Sequence, residues 1–162
     1  MKRDTPGPGQ ESVWDYPRPP ELRRVERPVK IVFAGKVLAE TTRAYSVHET
    51  SHPPVYYIPL EDVDASLIER VGGSSYCEWK GSASYVDVVA PGRRAERAGW
   101  YYADPVPDFA PIKDHVAFYA GPMDACFVGD DEVTPQPGGF YGGWITPDVV
   151  GPFKGAPGSW GW

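Results

Sequence analysis

The sequence predicts an all-β domain, β-rich with one short helix. Three observations lead there. Short runs of β-branched and aromatic residues recur along the chain, such as Val29–Phe33, Val55–Ile58 and Ala83–Ala90, and these residues suit a pleated, half-buried surface. Glycines and prolines, 18 and 19 of the 162 residues, fall between those runs and punctuate them as turns. Only one stretch, Glu61–Val71, carries a helical spacing of apolar residues.

The elements follow in order. Residues 1–28 hold six prolines, which resist both helix interiors and central strands. They read as an extended arm with room for one helical turn around Glu21–Arg24. Trp14 and Tyr16 are placed to pin it to the domain or to a second subunit. The body, 29–133, opens with a hairpin: Val29–Phe33 and Lys36–Glu40 flank the two-residue turn Ala34-Gly35. Arg43–Glu49 and Val55–Ile58 are further strands, the second closed by Pro59. In Glu61–Val71 the apolar residues Val63, Leu67 and Ile68 form a stripe. Asp62 and Asp64 favour a helix start there, and Gly72-Gly73 a stop. Strands are then expected at Ser75–Trp79, Ala83–Ala90, Gly99–Ala103 and His115–Tyr119. Met123–Val128 and Glu132–Val133 make a hairpin around Gly129-Asp130-Asp131. The tail, 134–162, is rich in Gly, Pro and aromatics. Phe140, Tyr141, Trp144, Phe153, Trp160 and Trp162 are too apolar for a free tail, so it is expected to wrap over the domain or onto a partner.

Composition narrows the function classes. Net charge is −6, and no basic stripe exists to follow a phosphate backbone, which argues against nucleic acid. The densest basic stretch, Arg18–Lys30, is diluted by Glu21, Glu26 and prolines. No apolar run approaches the about 18 residues of a membrane helix, and no apolar leader opens the chain. Cys77 and Cys126 are the only cysteines and read as thiols of a cytoplasmic protein. Aromatics reach 14%; Tyr and Trp offer flat apolar faces with polar tips, which suit ligand walls, interfaces or sheets alike.

Chemistry-bearing residues concentrate between His48 and Tyr85. A structural zinc site needs four ligands, usually with C-x-x-C or similar spacing. Here no C-x-x-C exists, and His52, four residues after His48, precedes two prolines. No metal and no cofactor are expected. Cys77 is a candidate nucleophile with His48, His52 or His115 as base and Glu49 as orienting group; an inert strand thiol is the plainer alternative. Glu49 with Lys80 is a candidate acid–base pair, or a weak surface ion pair. Phosphate-binding glycine motifs are absent. The run Asp130-Asp131-Glu132 is accounted for by a hairpin turn.

The ordered series Glu49-Thr50-Ser51-His52-Pro53-Pro54, Tyr56-Tyr57-Ile58-Pro59, Asp62-Val63 and Cys77-Glu78-Trp79-Lys80-Gly81 with Ala83 and Tyr85 resembles the domain of unknown function 427 family. Trp100-Tyr101-Tyr102, Pro105, and Ile112 through Tyr119 continue the pattern. The resemblance runs from about Val29 to Tyr119. It implies a β-tent-like fold, two antiparallel sheets pinned at one edge, and no established activity. The family is sometimes labelled nucleotidyltransferase-like, but the carboxylate cluster for magnesium is missing here. Many β-tents hold a zinc where the sheets meet; the cysteines for it are missing too. The family commonly has a proline after the cysteine, where this chain has Glu78.

The expectation is therefore a cleft that takes a small polar or anionic molecule. Tyr56, Tyr57, Lys80, Tyr85, Trp100 and Tyr101 would bind it, with His48 and Glu49 helping to orient it. Cys77, Glu49 and His48 are the catalytic candidates should the chain be a cofactor-free hydrolase or transferase. A protein-interaction role for the aromatic tail is the third reading, and a homodimer stays open.

Overall fold

The computed structural model describes residues 2–77, 79–159 and 161–162; Glu78 and Trp160 lie outside that set, as does Met1. The described chain is mostly strand: β1 (Glu11–Ser12), β2 (Glu21–Arg24), β3 (Val29–Phe33), β4 (Lys36–Thr41), β5 (Tyr45–His48), β6 (Val55–Pro59), β7 (Ile68–Cys77), β8 (Gly81–Ala90), β9 (Arg93–Tyr101), β10 (His115–Phe118), β11 (Ala125–Val128), β12 (Asp131–Glu132), β13 (Thr134–Pro135), β14 (Trp144–Ile145) and β15 (Val149–Val150). A seven-stranded antiparallel sheet has the order β2-β5-β6-β10-β9-β8-β7, and a four-stranded one the order β12-β11-β3-β4. Two short pairs, β1-β15 and β13-β14, stand apart. Among the described residues no helix is long and apolar enough to cross a membrane.

The β3-β4 hairpin forms where expected. Ala34 and Gly35 take φ of 52° and 73°, the left-handed pair that a two-residue turn of this hand requires. Along β3, Val29, Ile31 and Phe33 point inward and are fully buried, as period-two alternation dictates. With Cys126 and Val128 of β11 they meet Ile58, Val86, Val88, Val116 and Phe118 of the large sheet in one core. The hairpin at Gly129 also forms, with Val128 paired to Asp131.

The segment 61–71 departs from its expected helix. It contains two 3-10 turns, Leu60–Asp62 and Ala65–Leu67, and is strand from Ile68 onward. Val63, Leu67 and Ile68 still pack on the core, so the stripe marks burial and not helix. From Ile68 on, a ladder of eight paired residues with β8 satisfies the backbone groups that a helix would otherwise have to pair internally. Gly72 and Gly73 do not stop a helix. They form a bulge between Val71 and Ser74, with Gly73 at φ 93°.

The ends of the chain are likewise more ordered than their prolines imply. Glu21–Arg24, expected as a helical turn, is an edge strand on β5, with Glu21 opposite His48; an edge is where a proline-flanked strand is tolerated. Strand β1 runs parallel to β15, and Val13, Tyr16 and Val149 bury together. Farther along, the tail crosses the body. Trp144 is fully buried in the main core, and its indole N–H donates to the Phe118 carbonyl at 2.9 Å. Trp162 meets Trp14 edge-on. Phe140 does not anchor; it is 74% exposed.

Candidate functional site

The pleat of the large sheet sorts the predicted aromatics. Tyr85 on β8 pairs with Trp100 on β9, which pairs with Ala117 on β10. Tyr57 on β6 pairs with Tyr45 on β5. Trp100, Ala117, Tyr57 and Tyr45 belong to one cluster on the outer face of the sheet, and Tyr85 shares that face through its pairing. Tyr56 and Tyr101 point the other way, into the core between the sheets. Tyr56 stacks on Trp144 with ring centroids 5.1 Å apart, and burial pushes its phenol up to about 12. Neighbours in sequence cannot share one wall of a strand.

At one end of the outer face lies Lys80, in the turn between β7 and β8. Its backbone is held on both sides: its N–H donates to the Cys77 carbonyl at 3.3 Å, and its carbonyl accepts from Val106 N–H at 3.0 Å. The ammonium sits 5.9 Å from the Phe109 ring centroid. Burial disfavours its charge, but Tyr57, Cys77, Glu49 and a hydrogen bond to Cys77 offset this and hold its pKa above the ordinary value. Tyr57 is fully buried. Burial raises its pKa, against the opposing effects of Lys80 and of the Trp100 hydrogen bond. Tyr102 is also raised by burial and by Tyr57. Glu49 makes its ion pair with Arg18, at 3.5 Å.

His48 does not join them. It alternates with Val47, which faces the outer cluster, so its ring projects from the opposite face. There Nε2 lies 2.8 Å from Ser46 Oγ, and the ring meets Tyr16 edge-on, centroids 4.8 Å apart. Burial, then Arg23, pushes its pKa down to about 4. His52 hydrogen-bonds the Thr50 carbonyl and meets Tyr141, while His115 hydrogen-bonds the Lys113 carbonyl. Cys77 and Tyr57 belong to the outer cluster, and the His115 ring meets Tyr45 of that cluster edge-on, centroids 5.5 Å apart. Both cysteines are free. Cys126 is a core thiol pushed up to about 12 by burial. Among the described residues, no three of His, Cys, Asp and Glu are grouped to hold a metal ion.

The concavity on this face lies on the other side of Trp100. The indole N–H donates to the Tyr57 hydroxyl at 3.4 Å, and the ring packs on Tyr119 with centroids 4.8 Å apart. Beyond Tyr119 is a cavity of about 440 Å³ lined by Tyr85, Arg97, Tyr119, Gln136 and Tyr141, among others. Of the predicted site residues only Tyr85 lines it. The tail supplies the facing wall and comes close enough that a Cβ on Gly142 would collide with Trp100 Cη2. Gln136 ties this wall together, accepting from Gly143 N–H at 3.0 Å and donating to the Lys154 carbonyl at 2.8 Å. A second cavity, of about 830 Å³, lies within the tail between Pro137, Phe140, Tyr141, Lys154 and Pro157. Tyr119 falls in a predicted strand and Tyr141 among the tail aromatics expected to anchor, but nothing in the sequence marks Arg97 or Gln136, and only long-range pairing brings the four together.

No curated protein matches this chain. Residues 21–129 match the family described as a domain of unknown function, DUF427. The match spans well over half of the sequence and includes both strands of the Tyr85–Trp100 pair, the Lys80 turn and the strands of the main core. This chain belongs to the DUF427 family.

Proposed function

We propose that the protein binds a small polar or anionic molecule in the cavity between the large sheet and the C-terminal tail. The observation that carries this reading is an aromatic-walled hollow of about 440 Å³ with a guanidinium on its lining. That volume falls within the about 300–1,000 Å³ common for small-molecule sites, and apolar walls with few polar anchors are their usual make-up. The Lys80 cluster contributes support from behind Trp100 and does not line the hollow. The test is a search for a co-purifying mass by native mass spectrometry, followed by NMR screening of a fragment library. Gly121 lines the cavity, and a Cβ there meets open space, so Gly121→Phe is the variant chosen to occlude the site. Bound mass or fragment shifts at Tyr85 and Tyr119 that vanish in folded Gly121→Phe support the reading. A clean protein with no fragment shifts removes it.

A second reading, catalysis by Cys77, draws on the turn that holds Lys80 beside it, with the Lys80 N–H donating to the Cys77 carbonyl at 3.3 Å. Alkylation by iodoacetamide should then slow in Lys80→Met; equal rates would leave Cys77 without activation. A third, protein interaction through the tail, draws on exposed Phe140. Self-association that survives Phe140→Ala unchanged would count against that residue.

A further inference from the structure

Strand β8 is bracketed by two irregularities. On one side is the Gly72-Gly73 bulge of β7. On the other, Val86 pairs with Gly99 but Val88 with Ala95, so β9 bulges at 96–98. Arg97 sits at the crest of that bulge in the left-handed region, φ 48°, which costs a non-glycine residue about 1–2 kcal/mol. Asp87, almost fully buried, accepts the Arg97 N–H at 2.8 Å and also binds Arg94, so the strained backbone is fixed from below. Bulges of this kind re-aim a side chain. Here the guanidinium lies 4.2 Å from the Tyr85 ring centroid and against Gly73, where a Cβ would fall 3.3 Å from Arg97 Nη2.

The remaining polar groups of the lining are mostly committed. The Tyr85 hydroxyl shares a 2.6 Å hydrogen bond with Ser75. The Tyr119 hydroxyl donates to the Phe140 carbonyl at 3.1 Å, and both ends of the Gln136 amide are used within the tail. These residues therefore offer ring faces and stems. Arg97 differs from these lining groups: among the described residues no carboxylate pairs with it, as with Arg3, Arg24 and Arg70, whereas Arg18, Arg23, Arg27, Arg43, Arg93 and Arg94 each have at least one. A guanidinium stacked on a ring keeps its edge N–H groups free for two-point contact with a planar oxyanion. Glu96 lines the same cavity and disfavours a multiply charged ligand.

We propose that the cavity takes a flat apolar ring carrying a single carboxylate, with Arg97 gripping the carboxylate and Tyr85, Tyr119 and Tyr141 walling the ring. This rests on the reading of the cavity as a binding site. Benzoate, benzamide and inorganic phosphate, titrated into the full chain while tyrosine ring resonances are followed by NMR, test it. Benzoate is expected to bind at least ten-fold more tightly than benzamide or phosphate. Arg97→Gln, which keeps the backbone bond to Asp87, should weaken benzoate at least ten-fold, and Arg97→Lys should restore only part of that. Equal binding of benzoate and benzamide, unchanged in Arg97→Gln, overturns the carboxylate assignment and leaves the cavity reading standing. Phosphate binding as tightly as benzoate overturns the requirement for a ring. Silence from all three probes overturns the proposal, and the co-purifying mass and the fragment screen then decide the cavity reading separately.

Discussion

Trp100 donates its indole N–H to the Tyr57 hydroxyl at 3.4 Å, and that contact partitions the outer face of the large sheet. On one side lie Lys80, Cys77 and Tyr102; on the other lies the cavity bounded by Tyr85 and Tyr119. Trp100→Phe keeps most of the packing but removes one donor to a buried hydroxyl that also lies beside Tyr102. Loss of one such neutral hydrogen bond costs about 0.5–1.5 kcal/mol, so chemical denaturation should show a loss of that size. A loss below a few tenths would mean the bond contributes nothing to the partition.

Gly142 lets the tail seat on that same indole. A Cβ there would run into Trp100, so Gly142→Ala must displace either the ring or the tail. Overpacking of this type costs about 1–3 kcal/mol. Limited proteolysis should show faster cleavage near 137–143, with the body of the domain intact. Gly139→Ala is a poorer comparison because Gly139 sits at φ 69°; Gly121→Ala, with open space around it, is the matched control.

Stability should fall on acidification through His48. Its folded pKa is pushed down to about 4 by burial, whereas the unfolded imidazole titrates near about 6.5. Above the unfolded value both states are neutral and the group contributes no slope. Between the two values the unfolded chain takes up a proton that the folded chain refuses. Stability therefore drops as pH falls through this window, by about 3 kcal/mol in all. Denaturation at a series of pH values should show a shallower slope between pH 6.5 and 4 in His48→Gln than in the parent. Identical slopes would contradict the burial argument.

Asp87 is the residue on which the Arg97 bulge depends. Asp87→Ala removes the acceptor for the Arg97 N–H and the partner of Arg94 together. The expected loss is about 2–3 kcal/mol, since bonds to charged groups contribute more than neutral ones. Faster amide hydrogen exchange at Arg97 and Ala98 should accompany it. Exchange that stays at the parent rate would show that the bulge holds itself.

The outline of the fold was legible because hairpins and alternation are local. The Ala34-Gly35 turn, the alternating β3 and the Gly129 hairpin all follow from residues within a few positions of each other. Glu61–Val71 was misread because Val63, Leu67 and Ile68 must be buried in either conformation; the neighbouring β8 edge, distant in sequence from the start of the segment, made it strand. Of the predicted site residues only Tyr85 lines the cavity, while Tyr57, Cys77 and Trp100 belong to the apolar cluster on the outer face. Tyr56, Tyr101 and His48 do not, because each follows or precedes a residue on that face and a pleat turns alternate side chains away.

The sequence by itself determined an antiparallel β domain of the DUF427 family, with an acidic surface charge and a concentration of aromatics between His48 and Tyr102. Only the tertiary structure decided where the hollow lies. Its walls come from β8, β9, the end of β10 and the C-terminal tail, and these meet through strand register and through the close approach that Gly142 permits to Trp100. Register is a property of pairs of distant segments, so a shift of one residue would turn Tyr85 and Trp100 to the core and leave the outer face bare.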